Sequence, residues 1–165
     1  MRTRFPRMLA VGLLAATCFT PAFAHAADVS LVAGRSTTTD HRWTTSAFVN
    51  IGADKVRTWH GLHVQPVATI GWIKGRRMTR EDLDHDVYVA GAGLRLVDWW
   101  HGAFASFQIG AAGGRTDALS SAGQFISSVG WQGRHWVVML RHISNGNLFG
   151  GKNLGETMLM AGVRF

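Results

Sequence analysis

The stretch Gly61-Leu-His-Val-Gln-Pro-Val-Ala-Thr-Ile-Gly-Trp-Ile-Lys74 carries the pattern that decides the fold. Its alternate residues form one apolar face, made of Leu62, Val64, Pro66, Ala68, Ile70 and Trp72. Most of the other face is polar or small, with His63, Gln65, Thr69 and Gly71. Because successive side chains of a β-strand point to opposite faces, this alternation predicts a strand. Pro66 has no backbone N–H to donate, which is unfavourable for a strand with neighbours on both sides.

Eight segments of the chain carry this alternation, at residues 28–36, 42–52, 61–73, 86–97, 103–111, 123–132, 134–144 and 156–165. Between them lie clusters of Gly, Asp, Arg and Ser, which are typical of turns. No segment after the first 26 residues has an apolar run long enough for a membrane helix. The pattern therefore predicts an all-β antiparallel protein, and by itself it fits a soluble sandwich, a lipocalin-like barrel or a transmembrane barrel.

Three features favour an eight-stranded transmembrane barrel. Tryptophans lie mostly near the predicted strand ends, as in the aromatic girdles of membrane barrels, at positions 43, 59, 72, 99, 100, 131 and 136. The predicted inward faces carry polar or small residues, namely Asn50, Gln65, Thr69, Ser106 and Gln108. The chain ends on Phe165 after an alternating apolar segment, which resembles the C-terminal signature by which outer-membrane barrels are recognised for assembly. In lipid the sheet must close, and eight strands leave an interior filled by side chains instead of a pore.

The first 26 residues have the composition of a secretory signal peptide, with arginines before an apolar run and small residues at the cleavage sites. Cleavage is expected after Ala24 or Ala26. The only cysteine, Cys18, lies in this leader. Loss of three leader arginines lowers the formal net charge from +7 to +4, which is too small an excess to indicate nucleic-acid binding. We therefore expect one barrel domain, residues 27–165, in the bacterial outer membrane.

The lengths of the links between strands predict the orientation of the barrel. If both termini are periplasmic, the links 53–60, 98–102 and around Gly133 are the periplasmic turns. The outer links are then residues 36–41, 74–85, 112–122 and 145–155. Three of these four are long and rich in glycine or charge, as the outer loops of such barrels usually are.

A second stretch, Arg141-His-Ile-Ser-Asn-Gly-Asn-Leu-Phe-Gly-Gly-Lys-Asn-Leu-Gly-Glu156, carries the candidates for chemistry. His142 and Ser144 are two residues apart, so both side chains point to the same face of a strand. A serine hydroxyl beside an imidazole base is the core of acyl-transfer catalysis by serine. The pair shares its parity with apolar residues of the same strand, so we expect it to face lipid at the outer end. Polar groups cost little at headgroup level, and these residues alone leave catalysis and simple solvation equally open.

The pattern His142-x-Ser144-Asn145, followed by Asn153-x-Gly155-Glu156, resembles that of a known family. The pattern looks like the signature of the lipid A 3-O-deacylases, which are eight-stranded outer-membrane barrels with a Ser-His-Glu triad on the outer wall. The resemblance implies that Ser144 is the nucleophile, His142 the base and Glu156 the group that orients the base. Its specific part covers residues 142–156 only. Lys152 replaces the proline that often precedes the Asn-x-Gly element, so the resemblance does not define the loop conformation or the oxyanion donors.

Further residues are predicted to take part in the site. The candidates for the oxyanion hole and its loop are Asn145, Gly146, Asn147 and Asn153, whose alternative role is ordinary turn chemistry. The candidates for contact with lipopolysaccharide phosphates are Lys74, Arg76, Arg77 and Arg80, whose alternative is a solvated outer loop. Trp136 is a candidate contact for acyl chains. No cofactor or metal is expected, because the histidines lack ligand spacing.

The predicted function is removal of an ester-linked acyl chain from lipid A, and the resemblance implies the 3-O position. The expected partners are lipopolysaccharide, outer-membrane lipid and the assembly machinery of the outer membrane, without nucleic acid. Two alternatives remain, a non-catalytic outer-membrane barrel for adhesion or envelope integrity and a soluble periplasmic barrel that binds a lipophilic ligand. Chain-length preference and oligomeric state are not specified by these residues.

Overall fold

The alternating segments form β-strands in the computed structural model, which describes residues 28–39, 42–54, 56–148 and 152–165. The strands are β1 (Asp28–Thr37), β2 (Trp43–Gly52), β3 (Arg57–Trp59), β4 (Leu62–Ile73), β5 (Val87–Val97), β6 (Ala103–Gly113), β7 (Gly123–Gln132), β8 (Trp136–Ser144) and β9 (Glu156–Arg164). The expected signal peptide lies outside the described residues. Within the described ranges, no helix is long and apolar enough to cross a membrane.

Eight of the strands are long and form a closed antiparallel barrel. Neighbours along the chain pair with each other, and β1 pairs with β9 in a register that joins Ser30 to Arg164. The pairing of β2 with β4, which joins Phe48 to Gly71, completes the ring. Each long strand therefore has a partner on both sides, so that backbone N–H and C=O groups are satisfied within the sheet as lipid requires. The predicted eight-stranded antiparallel barrel is confirmed.

One strand was not expected, because β3 lies in the link predicted as a periplasmic turn. It pairs with the first residues of β4 across a turn at His60 and Gly61, both of which have positive φ. Pro66 lies in β4 between the part that pairs with β3, ending at Val64, and the part that pairs with β2, starting at Val67. The proline therefore occupies the break between two partners on that edge of β4, where a missing donor costs least.

The two faces of the strands separate as the alternation predicts. Of the five polar residues expected inside, Asn50, Gln65, Thr69 and Gln108 are buried, at most 4% exposed, whereas Ser106 is half-buried. The interior also holds apolar side chains, among them Phe48, Ile126, Met139 and Met160. Outside, large apolar residues are exposed, and Ile70 at 61% and Ile109 at 66% are examples.

The cation of Arg141 is enclosed in the barrel, where the residue is 2% exposed. The guanidinium of Arg141 donates to Asn50 at 2.6 Å and to Ser128 at 3.0 Å, and it lies 4.7 Å from the ring centroid of Phe48. Hydrogen bonds to neutral polar groups and contact with an aromatic face therefore stabilise this charge, which is costly to bury without hydrogen bonds. The side chain of Arg141 is consequently part of the core and not of the outer wall.

Tryptophans mark both ends of the barrel. Trp43 begins β2 and Trp72 lies near the end of β4, at the end where the chain links β1 to β2 and β4 to β5. The opposite end carries the other five, Trp59, Trp99, Trp100, Trp131 and Trp136. Their distribution corresponds to the two aromatic girdles of membrane barrels.

The links predicted to be the outer ones lie at one end of the barrel, because β1, β4, β6 and β8 all run toward it. Three of these links pack against one another over the end of the barrel. Asp117 N donates to Asp82 O at 2.8 Å, and Leu154 N donates to Asp117 O at 3.3 Å. Leu83 and Leu119 are at most 2% exposed beneath them. The links therefore form a cap whose buried side chains continue the apolar cluster of the barrel interior.

Candidate functional site

His142 and Ser144 lie on the outer wall, near the capped end of β8. Their side chains point away from the interior, while Arg141 and Ile143 point into it. His142 is exposed and Ser144 is half-buried. The parity of the strand correctly predicted this outward direction, since β8 is regular up to its last residue.

The imidazole of His142 is held between two residues of the neighbouring chain segment. Its Nδ1 lies 3.0 Å from the hydroxyl oxygen of Thr157, the residue directly opposite on β9. Gly155 lies against the other side of the ring, because a Cβ added there would be 2.7 Å from Cε1 and 3.1 Å from Nε2. Glu156 is opposite Ile143 in the antiparallel register. The residue before it, Gly155, therefore lies at the level of Ser144. The edge of the ring that carries Nε2 therefore lies beside Gly155, at the level of Ser144, and Nε2 has no hydrogen-bond partner among the described residues.

The described residues include no hydrogen bond between His142 and Ser144. In structures without substrate, such bonds are often long and shorten only in the reacting complex. The arrangement thus provides a hydroxyl and an imidazole on one face, with one ring nitrogen bonded and the other available.

Glu156 does not contact His142, so the structure does not bring together the three residues that the resemblance implies. Its carboxylate is 3% exposed and faces the barrel interior, where Arg76 Nη1 lies 2.9 Å from Oε1. The hydroxyl of Ser36 donates a hydrogen bond to the same carboxylate. The physical reason is the strand alternation, because Glu156 is opposite inward-facing Ile143 whereas His142 faces outward.

Thr157 was missed by sequence reasoning, although a signal for it was present. The apolar outward residues Leu159, Ala161 and Val163 fix the parity of the last strand. Thr157 shares that parity and Glu156 does not. Once β9 is placed beside β8, the outward face offers a hydroxyl and not a carboxylate to His142.

The residues after Ser144 form a tight turn that Asn145 organises. Gly146 and Asn147 both have positive φ, 61° and 58°, and Leu148 N donates to Asn145 O at 3.2 Å. The side-chain oxygen of Asn145 accepts from Asn147 N at 2.9 Å, while Asn145 N donates to the side-chain oxygen of Asn153 at 3.3 Å. The two asparagines therefore tie the start of the loop to its end.

This turn narrows the choice of oxyanion donor. Asn145 is fully buried, and its side-chain amide lies 3.5 Å from the hydroxyl of Ser120, so this side chain does not point toward Ser144's outer face. Asn147 N is already used within the turn. Among residues 28–39, 42–54, 56–148 and 152–165, the N–H of Gly146 has no hydrogen-bond partner. Of the backbone N–H groups of Asn145, Gly146 and Asn147, that of Gly146 is thus the one without a partner among the described residues.

Lys152 and Gly155 attach the end of this loop to the link between β6 and β7. The Lys152 ammonium lies 2.8 Å from the Asp117 carboxylate, and Gly155 N donates to Ala118 O at 3.1 Å. The hydrogen bond from Lys152, assisted by one from Asp82 N, lowers the pKa of Asp117, and the same contact raises the pKa of Lys152. The Asp117 contribution is lost as pH falls through its lowered folded pKa, and that of Lys152 is lost as pH rises through its raised one. The tether is therefore present at neutral pH.

The basic residues predicted to meet phosphate do not surround the serine. Arg76 is turned inward to Glu156. Arg77 and Arg80 are exposed and line a cavity of about 380 Å³ together with Arg42, at the start of β2. Lys74 follows β4 and is exposed as well. In the ring of strands, β1 and β9 separate β2 from β8, so this basic cavity and the His142–Ser144 pair lie on different sides of the barrel.

Trp136 is also remote from the serine. It begins β8 and Ser144 ends it, and eight residues of strand span about 26 Å. The aromatic residues beside the serine are Phe125, which is its partner on β7, and Phe107, whose ring stacks on Phe125 at 5.8 Å. Trp136 therefore belongs to the far girdle and not to the site.

An apolar groove runs over the outer wall beside the pair. It has a volume of about 880 Å³ and crosses β3 to β7. Its edge nearest to β8 is formed by Ser127 and Val129, which are opposite His142 and Leu140. The groove is lined mainly by Trp59, Leu94, Leu96, Ala105, Phe107 and Val129.

A group with metal-ligand atoms lies in the cap. Asp82, Asp84 and His85 bring such atoms within 4.8 Å of one another, and all three residues are exposed. They lie in the link between β4 and β5 and make no contact with the His142–Ser144 pair. The prediction that the reaction needs no metal stays a prediction.

No known protein family matches the sequence, and no curated protein matches it either. Among solved structures, the chain is similar to Ail, the attachment invasion locus protein of Yersinia pestis. Ail in complex with the heparin analogue sucrose octasulfate is 14% identical with a TM-score of 0.52, over 84% of this chain and 99% of Ail. Ail in a phospholipid bilayer nanodisc is 13% identical with a TM-score of 0.52, over 85% of this chain and 100% of Ail. The chain thus has the fold of eight-stranded outer-membrane barrels.

Proposed function

We propose that this protein is an outer-membrane ester hydrolase that removes an ester-linked acyl chain from lipid A at the outer leaflet. The observation that carries the proposal is the placement of the His142 ring. The ring is hydrogen-bonded at Nδ1 and packed with its Nε2 edge against Gly155, on the same outward face of β8 as Ser144. A substrate that is itself a membrane lipid reaches this face without leaving the bilayer.

The proposed reaction uses the pair as nucleophile and base. Ser144 Oγ attacks the ester carbonyl while His142 Nε2 takes the hydroxyl proton. The proton passes to the departing sugar oxygen, and the acyl group stays on Ser144. Water, deprotonated by the same nitrogen, then releases the fatty acid and restores the serine. The N–H of Gly146 is the proposed oxyanion donor, and loss of one such donor typically slows catalysis ~100–1,000-fold.

The surface beside the pair suits an acyl chain. The groove over β3 to β7 begins at Ser127, directly opposite His142, and its lining is almost entirely apolar. The nearby rings of Phe107 and Phe125 add a flat apolar surface next to Ser144. The 3-O position of lipid A is implied by the family resemblance of residues 142–156 and not by this geometry.

A second candidate function is a non-catalytic barrel. The fold likeness to Ail supports it, since the solved Ail structure with sucrose octasulfate is that of an attachment invasion locus protein. Under this alternative, the exposed arginines around the cavity at Arg42, Arg77 and Arg80 would meet anionic partners outside the cell. The His142–Ser144 pair would then have no chemical role.

Replacement of Ser144 by alanine and of His142 by alanine separates the two candidates. Each change is expected to lower release of ester-linked fatty acid by several orders of magnitude, and the double change should cost little more, since the pair acts as one unit. The measurement is mass spectrometry of lipid A from cells that lack such an activity, with heat-modifiable gel mobility as the check on folding. If folded Ser144→Ala deacylates as well as the parent, the pair is not catalytic. If the parent releases no fatty acid from lipid A, the non-catalytic barrel is the better account.

A further inference from the structure

We propose that the hydroxyl of Thr157, and not the carboxylate of Glu156, positions His142 for the ester hydrolysis proposed above, on which this inference rests. A histidine that acts as a base needs its free nitrogen directed at the nucleophile and its other nitrogen protonated. A group that accepts a hydrogen bond from the second nitrogen selects that tautomer and holds the ring. The structure offers such a group at Nδ1, and it is the Thr157 hydroxyl at 3.0 Å.

The register of the barrel makes this contact a fixed one. His142 and Thr157 are opposite residues of adjacent strands, and both side chains face outward. Threonine is branched at Cβ, so its rotation about χ1 is restricted in a strand and its oxygen stays in place. When the Thr157 oxygen accepts a hydrogen bond from Nδ1–H, the lone pair is on Nε2, the ring nitrogen that lies beside Gly155.

Glu156 is held away from this role by its own contacts. Its carboxylate is buried inside the barrel against Arg76 and Ser36, and the backbone of β9 lies between it and the outer wall. To reach His142, it would have to leave a buried ion partner uncompensated, which is strongly unfavourable. The carboxylate of Glu156 therefore stabilises the contact between β9 and the loop that carries Arg76.

The described outward residues on the strands that flank His142 carry no charge near it. The outward residues facing it from the flanking strands are Phe125, Ser127 and Val129 on β7, and Thr157 and Leu159 on β9, and none of them titrates near neutral pH. On β8 itself, the outward neighbours are Leu140 and Ser144. A neutral hydroxyl is thus the polar group against Nδ1, and its contribution is expected to be orientation more than charge stabilisation.

Three variants test the assignment, each in the full-length protein in detergent or lipid. Thr157→Val keeps the shape and removes the hydroxyl, Thr157→Ser restores a hydroxyl, and Glu156→Gln removes the inward charge. Thr45→Val is the matched control, because Thr45 is also an outward-facing strand threonine but lies on β2.

Thr157→Val is expected to lower kcat for ester hydrolysis roughly tenfold, the scale of one hydrogen bond, with KM nearly unchanged. Thr157→Ser should recover most of the loss, and Glu156→Gln should lose less than Thr157→Val does.

The tautomer of His142 provides a readout that needs no turnover. In protein labelled with ¹⁵N-histidine, the ring signals of the parent should show Nδ1 protonated and Nε2 unprotonated. Thr157→Val should shift them toward a mixture of tautomers, and Thr45→Val should not. An unchanged tautomer in Thr157→Val overturns the inference whatever happens to kcat, and so does a larger kcat loss in folded Glu156→Gln. If the parent hydrolyses no lipid A, the proposed function fails, while the ring signals still decide whether Thr157 positions the imidazole.

Discussion

Gly155 is the residue on which the position of the His142 ring depends most directly. It has a φ of 68°, a region that residues with a Cβ rarely adopt, and the ring occupies the space that a Cβ would need. Its N–H is bonded to Ala118 O, so the backbone is held by the cap while the ring packs on it. A glycine is therefore required here both by conformation and by contact.

Gly155→Ala is expected to impair the reaction more than the fold. The new methyl group must displace the imidazole, and a misplacement of about 1 Å can cost ~100-fold in rate, while the positive φ costs about 1–2 kcal/mol in stability. The measurements are deacylation in a mass-spectrometric assay and thermal unfolding followed by gel mobility. Gly113→Ala is the control, because nothing lies within 4 Å of a Cβ added there. Full activity in folded Gly155→Ala would show that the ring position is not critical.

At the scale of the element, strand β8 separates two environments along its whole length. Val137, Met139 and Arg141 fill the interior, while alternate residues are exposed on the wall, with Leu140 at 48%. The same strand thus supplies core packing on one face and the His142–Ser144 pair on the other. The pair can change without disturbing the core, which is why the alanine variants are expected to fold.

Leu140→Arg tests the outward assignment of β8. A charged side chain on the lipid face near the midplane should destabilise the folded barrel by roughly 2–4 kcal/mol, since the guanidinium must leave water. The measurement is urea-dependent folding into lipid vesicles. Leu148→Arg is the matched control, because Leu148 is 70% exposed in the loop beyond the strand, and it should cost close to nothing. Equal losses in the two variants would show that Leu140 does not face lipid.

At the scale of the whole molecule, the closed ring determines which loops share an end. The cap over residues 74–86, 114–122 and 152–155 is built from hydrogen bonds between links, including Lys152 to Asp117. This cap holds Gly155 and hence the ring of His142. The outer end of the barrel therefore joins loops that are distant in sequence through direct contacts.

Surface labelling tests the orientation of this unit in the cell. The cap should face the exterior, so single-cysteine variants Thr79→Cys and Asn147→Cys should react with a membrane-impermeant reagent on intact cells. Arg134→Cys, in the exposed link between β7 and β8, should react only after the cells are opened. Cys18, the only natural cysteine, lies in the expected leader. Labelling of Arg134→Cys alone on intact cells would reverse the topology and remove the outer-leaflet substrate.

Much of the architecture is determined by the sequence itself. The period-two alternation around Gly61–Lys74 and its seven counterparts predicted the eight long strands, their inner and outer faces and the outward direction of His142 and Ser144. This was possible because alternation is a local property, and each strand carries it without reference to its neighbours. The same reasoning could also have predicted that Trp136 is remote from Ser144, since eight residues of strand separate them.

The contacts of the candidate site were decided only by the tertiary structure. Whether His142 meets Glu156 or Thr157 depends on the register of β9 against β8, and a shift of one residue exchanges the two faces. Arg76 was predicted to face phosphate, but the loop that carries it folds back so that the guanidinium reaches the buried carboxylate. Register and loop path are set by the closure of the whole ring and by the packing of the cap, and neither is encoded in any one segment of the chain.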